Sequence, residues 1–233
     1  MIGRACVGAL LAEGATVVVV DRDENALRTA ATAWQETSRR VLTLAVDVTD
    51  EPAVLRMVDE VQKQTGRLDV LVNCLGVFQA TPIDELSLDD WQHVLDINLT
   101  SIFLCCRAAA RVMKGQGSGR IINLGSLAGR VGGLAAGANY SVSKAGVICL
   151  TKSLARALGG TGITVNTINP GPVDSPMVDA WPPGKKEEQL ARIPLGRLGR
   201  PQDIAGAVVF LASDAASYIH GAQIDVNGGL EMS

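Results

Sequence analysis

A chain of 233 residues, 47% of them hydrophobic, is long enough to bury a sizeable core and suits a single α/β domain spanning 1–233. A formal net charge of −3 and a pI near 5.4, with no long run of like charge, exclude the basic footprint of a nucleic-acid binder. No uninterrupted apolar stretch of about 18 residues occurs, which argues against a membrane span.

The opening MIGRACVGALLAEG reads as a helix rather than a signal peptide: only Arg4 precedes its apolar run, and the strand after it needs a covering helix. Apolar runs rich in β-branched residues then predict strands over 16–21, 41–46, 68–73, 120–124, 163–168 and 222–226. Between them, helical periodicity predicts helices over 24–37, 51–65, 89–113, 143–158 and 201–212. Ser87-Leu-Asp-Asp marks one helix start, with acids at the positive end of the dipole. Pro201 with Asp203 marks another, and Gly66 marks a stop. Near-continuous hydrophobic strands alternating with helices predict a doubly wound parallel sheet covered on both faces.

Five cysteines (Cys6, Cys74, Cys105, Cys106 and Cys149) form no CxxC pair and lie in apolar contexts, so they read as buried, reduced thiols of a cytoplasmic protein. His93 and His220 are isolated from each other and from every cysteine, so no metal site is expected. Both read as surface or helix-end residues.

In such sheets ligands bind outside the carboxyl ends of the strands. Polar residues gather there: Asp21, Asp47, Asn73, Ser126 and Asn169-Pro170-Gly171. Asp21 ends the first strand 18 residues after Gly3, about where an acid binds the adenosine ribose of a dinucleotide. A turn-forming aspartate is the plainer reading of the same residue. Tyr140 and Lys144 stand four apart, on one face of the predicted helix, with Ser126 on the preceding strand end. That is a proton-transfer arrangement. Moving a tyrosine pKa from about 10 toward 7 takes roughly 4 kcal/mol, and a cation about 4 Å away at intermediate dielectric supplies that order of energy.

Together these residues resemble the short-chain dehydrogenase/reductase family from Gly3 to Gly229. The resemblance rests on Asp47-Val48, Asn73-Cys74-Leu75-Gly76, Asn98, Ser126, Tyr140-x-x-x-Lys144, Pro170-Gly171 and GAQIDVNGG at 221–229. The chain looks most like the subgroup of 3-oxoacyl-carrier-protein reductases and related secondary-alcohol dehydrogenases. The resemblance implies a Rossmann-like fold and an NAD(P)-dependent enzyme interconverting a small-molecule secondary alcohol and a ketone. Tyr140 would be the general acid/base, Lys144 its activator and a ribose ligand, Ser126 the carbonyl polariser and Asn98 the holder of a relay water. Gly3, Asp21, Arg22, Asp47, Val48, Asn73, Gly76, Pro170, Gly171, Val173 and Ser175 would bind cofactor beside Tyr140 and Lys144. Asp21 would repel a 2′-phosphate, which favours NAD over NADP, although Arg22 could offset that repulsion.

A short substrate lid is expected at about 176–194, with Phe78, Leu134, Met177 and Trp181 as pocket residues. A homotetramer or homodimer is expected, built on the helices at 89–113 and from Tyr140. Two departures stand out. Cys74-Leu75 replaces a usual Asn-Ala, and Met1-Ile2-Gly3 looks like the tail of a glycine-rich phosphate turn whose strand and earlier glycines are absent. The expectation is an N-terminally shortened chain with unpaired strand edges inside its sheet. A second reading follows, a non-catalytic member kept for its oligomer interfaces.

Overall fold

The computed structural model of the protein describes residues 1–35, 40–133, 136–175, 178 and 184–232. The predicted alternation is realised in it. Helix α1 (Ile2–Ala12) leads to β1 (Val17–Asp21), α2 (Glu24–Gln35), β2 (Val41–Ala45), α3 (Glu51–Thr65) and β3 (Val70–Asn73). Then come α4 (Leu88–Leu95), a π-helical turn (Asp96–Thr100) and α5 (Ser101–Gln116). The second half runs β4 (Gly119–Leu124), α6 (Ala128–Val131), α7 (Ala138–Ala157), β5 (Ile163–Pro170), α8 (Lys185–Arg192), α9 (Pro201–Ala212) and β6 (Gln223–Val226). All pairings between strands are parallel.

The sheet is divided. β1 pairs with β2, while the other four strands pair in the order β3-β4-β5-β6. No ladder joins the two sets among the described residues, so β1 and β3 each have a single strand partner. Shared helices hold the two sheets together. Val20, Leu44, Leu68 and Leu71 pack on one apolar cluster with Val54, Met57, Val58, Leu104 and Cys105 of α3 and α5. On the opposite face, α1 sends Val7 and Leu11 toward β1 and β2, and Cys6 toward Val70, Val72 and α9.

β5, buried along its whole length, is the centre of the larger sheet. A polar brace crosses it: Asn73 Nδ2 donates to Asn123 Oδ1 at 2.8 Å, and Asn123 Nδ2 donates to Thr151 Oγ1 of α7 at 2.9 Å. Each buried amide is thereby satisfied, and α7 is pinned over β4 at one register.

Local signals work as their chemistry requires. Ser87 caps α4 by accepting from the Asp90 amide at 3.0 Å, and Gly66 ends α3 in a left-handed conformation at φ 77°. Asp203 accepts from the Arg200 amide at 2.6 Å at the start of α9. Helix α7 begins at Ala138, two residues before the opening expected near Tyr140, while residues 36, 37, 134, 176–177 and 179–183, including three of the four pocket residues, lie outside the described ones. The stretch Leu88–Gln116 has the length and hydropathy to cross a membrane, but 56% of its apolar window is buried. It reads as a core helix of the fold.

Candidate active site

The end of β4 carries the first functional side chain. A Cβ at Gly125 would collide with Asn169 Oδ1 and lie 2.8 Å from Thr167 Cγ2, so only glycine lets the chain pass β5 there. Ser126 follows at once. Its Oγ accepts from the Ala128 amide at 3.1 Å, opening α6, and hydrogen-bonds the Tyr140 phenol.

Tyr140 sits in the first turn of α7, held by its surroundings. Asn139 is buried and donates to Gln79 Oε1 at 2.5 Å, and Phe78 meets the Tyr140 ring edge-on with centroids 5.2 Å apart. Burial raises the Tyr140 pKa from its usual value, and the bond with Ser126 partly opposes the rise.

Lys144, one turn further on, is only 4% exposed. Its Nζ donates to the backbone oxygens of Leu124 at 3.0 Å and Leu75 at 3.3 Å, and lies 6.0 Å from the Tyr140 ring centroid. Desolvation brings its pKa down to about 8, with Cys74 acting in the opposite direction. The close Lys144–phenol contact expected from the four-residue spacing is therefore not made here. The ammonium goes to two carbonyl oxygens instead, and the phenol is shifted upward rather than downward.

Asn98 stands on the π-helical turn, fully buried. It accepts from the Val77 amide at 2.8 Å and donates to the Val77 oxygen at 2.9 Å and to Ser143 Oγ at 3.1 Å. A Cβ at Gly76, whose φ is 154°, would lie 3.2 Å from both Asn98 Oδ1 and Lys144 Nζ. The missing side chain leaves these two polar groups converging on one glycine backbone.

Ser126, Tyr140 and Lys144 open into a cavity of about 510 Å³, which Asn98 does not line. Gly3, Gly76, Ser126, Tyr140, Lys144, Pro170, Gly171, Val173 and Ser175 all line it, as do Phe78 and Cys74-Leu75. Asp21, Arg22, Asp47, Val48 and Asn73 do not. Asp21 is exposed at the end of β1, where its Oδ1 accepts from the Asp23 amide at 3.1 Å. The Asp47 carboxylate accepts from Thr49 Oγ1 at 2.7 Å and from the Thr49 amide. Those bonds, with Arg22 adding a smaller effect, hold its pKa below the usual carboxylate value. Val48 packs beside α3 and α5, and Asn73 belongs to the brace between strands.

Neither Gln189, a buried cavity residue of α8, nor the π-helical turn under Asn98 was singled out by sequence reasoning. The thiol expectation holds for Cys6, Cys105 and Cys106, whereas Cys149 is exposed on α7 and Cys74 is half-buried. His220 accepts from the Val165 amide at 3.2 Å and bonds the Ala155 oxygen at 2.7 Å, a structural role.

The lining suits a nicotinamide dinucleotide. The N-terminal turn of the 11-residue helix α1 reaches the cavity at Ile2 and Gly3, offering unpaired amides to a phosphate. Gly76 and Gly171 leave backbone uncovered, and Lys144 supplies the buried cation.

Comparisons with known proteins converge on the same chemistry. A family model described as Enoyl-(Acyl carrier protein) reductase matches residues 1–231. The chain is 42% identical over 229 residues to cis-4-hydroxycyclohexanecarboxylate dehydrogenase of Sinomonas cyclohexanicum, covering 98% of this chain and 91% of that one. It is 37% identical over 231 residues to the 3-oxoacyl-[acyl-carrier-protein] reductase FabG of Salmonella typhimurium, covering 99% and 93%. The solved crystal structure of gox2181 superimposes with a TM-score of 0.94 at 34% identity, covering 98% of this chain and 91% of that one.

Proposed function

Because the chain belongs to the short-chain dehydrogenase/reductase family and is thereby an NAD(P)-dependent oxidoreductase, we propose that it interconverts a secondary alcohol and a ketone at the Ser126–Tyr140–Lys144 cavity. The observation that carries this reading is the convergence of a serine, a half-buried tyrosine and a buried lysine on one cavity with glycine-floored backbone.

The bound dinucleotide supplies or accepts the hydride. The chain's residues handle the proton and the oxygen. Ser126 Oγ–H donates to the substrate oxygen and fixes it beside the Tyr140 hydroxyl. In the reducing direction Tyr140 donates its phenolic proton to that oxygen, and in the oxidising direction the phenolate takes it back. Lys144, as a cation, favours the phenolate once a ligand draws its Nζ from the Leu75 and Leu124 oxygens. Asn98 holds the Val77 backbone and Ser143 in place behind it, and a water on that backbone carries protons from solvent to Lys144.

NAD is the preferred cofactor. The Asp21 carboxylate at the end of β1 accepts from ribose hydroxyls and repels a 2′-phosphate. Arg22, Asp47 and Val48 frame the adenosine side, with Asn73 bracing β3 on β4 beneath it, while Pro170, Gly171, Val173 and Ser175 frame the nicotinamide side. The segment 176–194 acts as the lid of one domain spanning 1–233. The substrate is a compact alcohol or ketone, such as a hydroxylated cycloalkane acid or an acyl thioester, the chemistries named for the two relatives. Five free cysteines suit the reducing cytoplasm, and the outward-facing Phe103 of α5 and Val142 of α7 suit a homodimer or homotetramer.

The test is steady-state oxidation of NADH with a panel of cyclic ketones and 3-oxoacyl thioesters, comparing the wild type with Tyr140→Phe. The expected loss in kcat is about 10²- to 10⁴-fold, with unchanged NADH affinity. An active Tyr140→Phe variant would refute the assignment. The divided sheet favours one other reading, a family member that binds dinucleotide too weakly to turn over. A wild type that reduces no ketone and shows no affinity for NADH would select that reading.

A further inference from the structure

Cys6 and Cys74 have no part in the proposed chemistry, yet they share one apolar cluster beside its cavity, which Cys74 lines. Cys6 lies on α1 with 3% exposure, and Cys74 follows β3, half-buried and lining the cavity. Both belong to one apolar cluster with Ile2, Val70 and Val72. A Cβ at position 3 would lie 3.7 Å from Cys74 Sγ. Cys6 stands one helical turn from Gly3 on the same face of α1, so it faces the apolar cluster against which Cys74 packs. Each thiol acts on the other's acidity: Cys74 pushes the Cys6 pKa up, and Cys6 brings that of Cys74 down.

We infer that Cys6 and Cys74 form a dithiol that hydroperoxides oxidise to a disulfide joining α1 to the end of β3. The Cys6 thiol and then the Lys144 charge bring the Cys74 thiol below its ordinary pKa, whereas Cys6 is pushed up by Cys74 and by burial. Cys74 is therefore the attacking sulfur, and the cavity gives a small peroxide access to it. Its thiolate, having released its proton to solvent, attacks the terminal peroxide oxygen, the O–O bond breaks, and the other oxygen leaves as hydroxide or alkoxide that takes up a proton from solvent to become water or alcohol. Cys74 is left as a sulfenic acid. Cys6 then attacks that sulfur, the S–O bond breaks and the departing hydroxide takes the Cys6 proton to leave as water. In balance, two thiols and one hydroperoxide give one disulfide, one alcohol or water and one further water.

The neighbouring thiols are set apart. Cys105 is pushed up to about 11 and Cys106 to about 12 by burial, which keeps them protonated and slow. Cys149 is exposed on α7 and reports simple surface reactivity. Because Gly3 and Cys74 both line the cavity, the disulfide would draw the α1 N-terminus onto its floor and weaken dinucleotide binding. That consequence rests on the cofactor reading, whereas the dithiol itself does not.

The test treats the whole reduced chain with hydrogen peroxide, alkylates the remaining thiols under denaturing conditions and maps the products by fragment-ion mass spectrometry. The expected product is a Cys6–Cys74 cross-link, two hydrogens lighter, reversed by dithiothreitol and still formed in Cys149→Ser. In Cys6→Ser the reaction should stop at Cys74 as a dimedone-trapped sulfenic acid, at least about tenfold above Cys105 and Cys106. Full alkylation of Cys6 and Cys74 after peroxide, or oxidation confined to Cys149, would overturn the inference. An NADH titration of the oxidised and reduced forms then reads the consequence, with about tenfold weaker binding expected after oxidation. Equal affinities refute that consequence alone. No affinity in either form counts against the cofactor reading and leaves the mass result standing.

Discussion

Replacing Lys144 by methionine tests how the lysine is held. Lys144 is 4% exposed, its Nζ is bonded to two backbone oxygens, and burial lowers its pKa from 10.5 to about 8. The folded state therefore binds fewer protons than the unfolded state between roughly pH 8 and 10.5, and stability must rise with pH across that window. A shift of this size costs about 3 kcal/mol while the buried lysine is charged, and the cost is relieved as pH climbs through the folded value. Between pH 7 and 9 the integrated gain is about 1 kcal/mol. Lys144→Met lacks this term, so the stability difference between wild type and variant should move by about 1 kcal/mol in favour of the wild type over that range. Urea unfolding of both proteins at several pH values measures it, and the difference cancels other titrating groups to first order. A flat difference from pH 7 to 9, or one moving the other way, would refute a desolvated lysine.

Other consequences follow from neighbouring contacts. Ser126→Ala removes the hydrogen bond that partly lowers the Tyr140 pKa. The alkaline rise of the alcohol-oxidation rate should therefore move to higher pH, and kcat/KM should fall about 10²-fold in a pH–rate profile. Asp21→Asn removes the carboxylate at the end of β1, and NADPH affinity should gain about tenfold relative to NADH by calorimetry. Gly129→Ala places a Cβ 2.6 Å from the backbone of Lys144 and Ala145, forcing α6 off α7. The expected loss is about 1–3 kcal/mol in denaturant unfolding, with reduced activity. Asn98→Leu leaves the Val77 amide and oxygen unpaired in the interior, at an expected cost of about 2–4 kcal/mol.

What the sequence discloses and what it hides differ in kind. The strand–helix alternation and the caps at Ser87, Gly66 and Asp203 are local, and each was legible as a short pattern. The grouping of Ser126, Tyr140 and Lys144 was legible as well, because helical spacing and a strand end suffice to place them. The π-helical turn at Asp96–Thr100 was not: an i→i+5 turn inside an apolar helix leaves no mark in hydrophobic periodicity. The first turn of α7 is tied down by Asn139 bonding to Gln79, 60 residues away in the chain, a contact no local pattern marks. The destination of Lys144 Nζ depends on the Leu75 and Leu124 oxygens, which no side-chain pattern announces. Asn73 looked like a ligand-facing strand end, yet its amide goes sideways to Asn123, a choice fixed by the register of β3 on β4.

Calorimetric titration of the 233-residue chain with NADH and with NADPH is the sharpest test of a dinucleotide-dependent site at the cavity of Ser126, Tyr140 and Lys144. The account predicts saturable NADH binding at one site per chain, weaker binding of NADPH, and loss of NADH affinity in Lys144→Met. Absence of heat with both dinucleotides, or NADH binding undiminished in Lys144→Met, would contradict it.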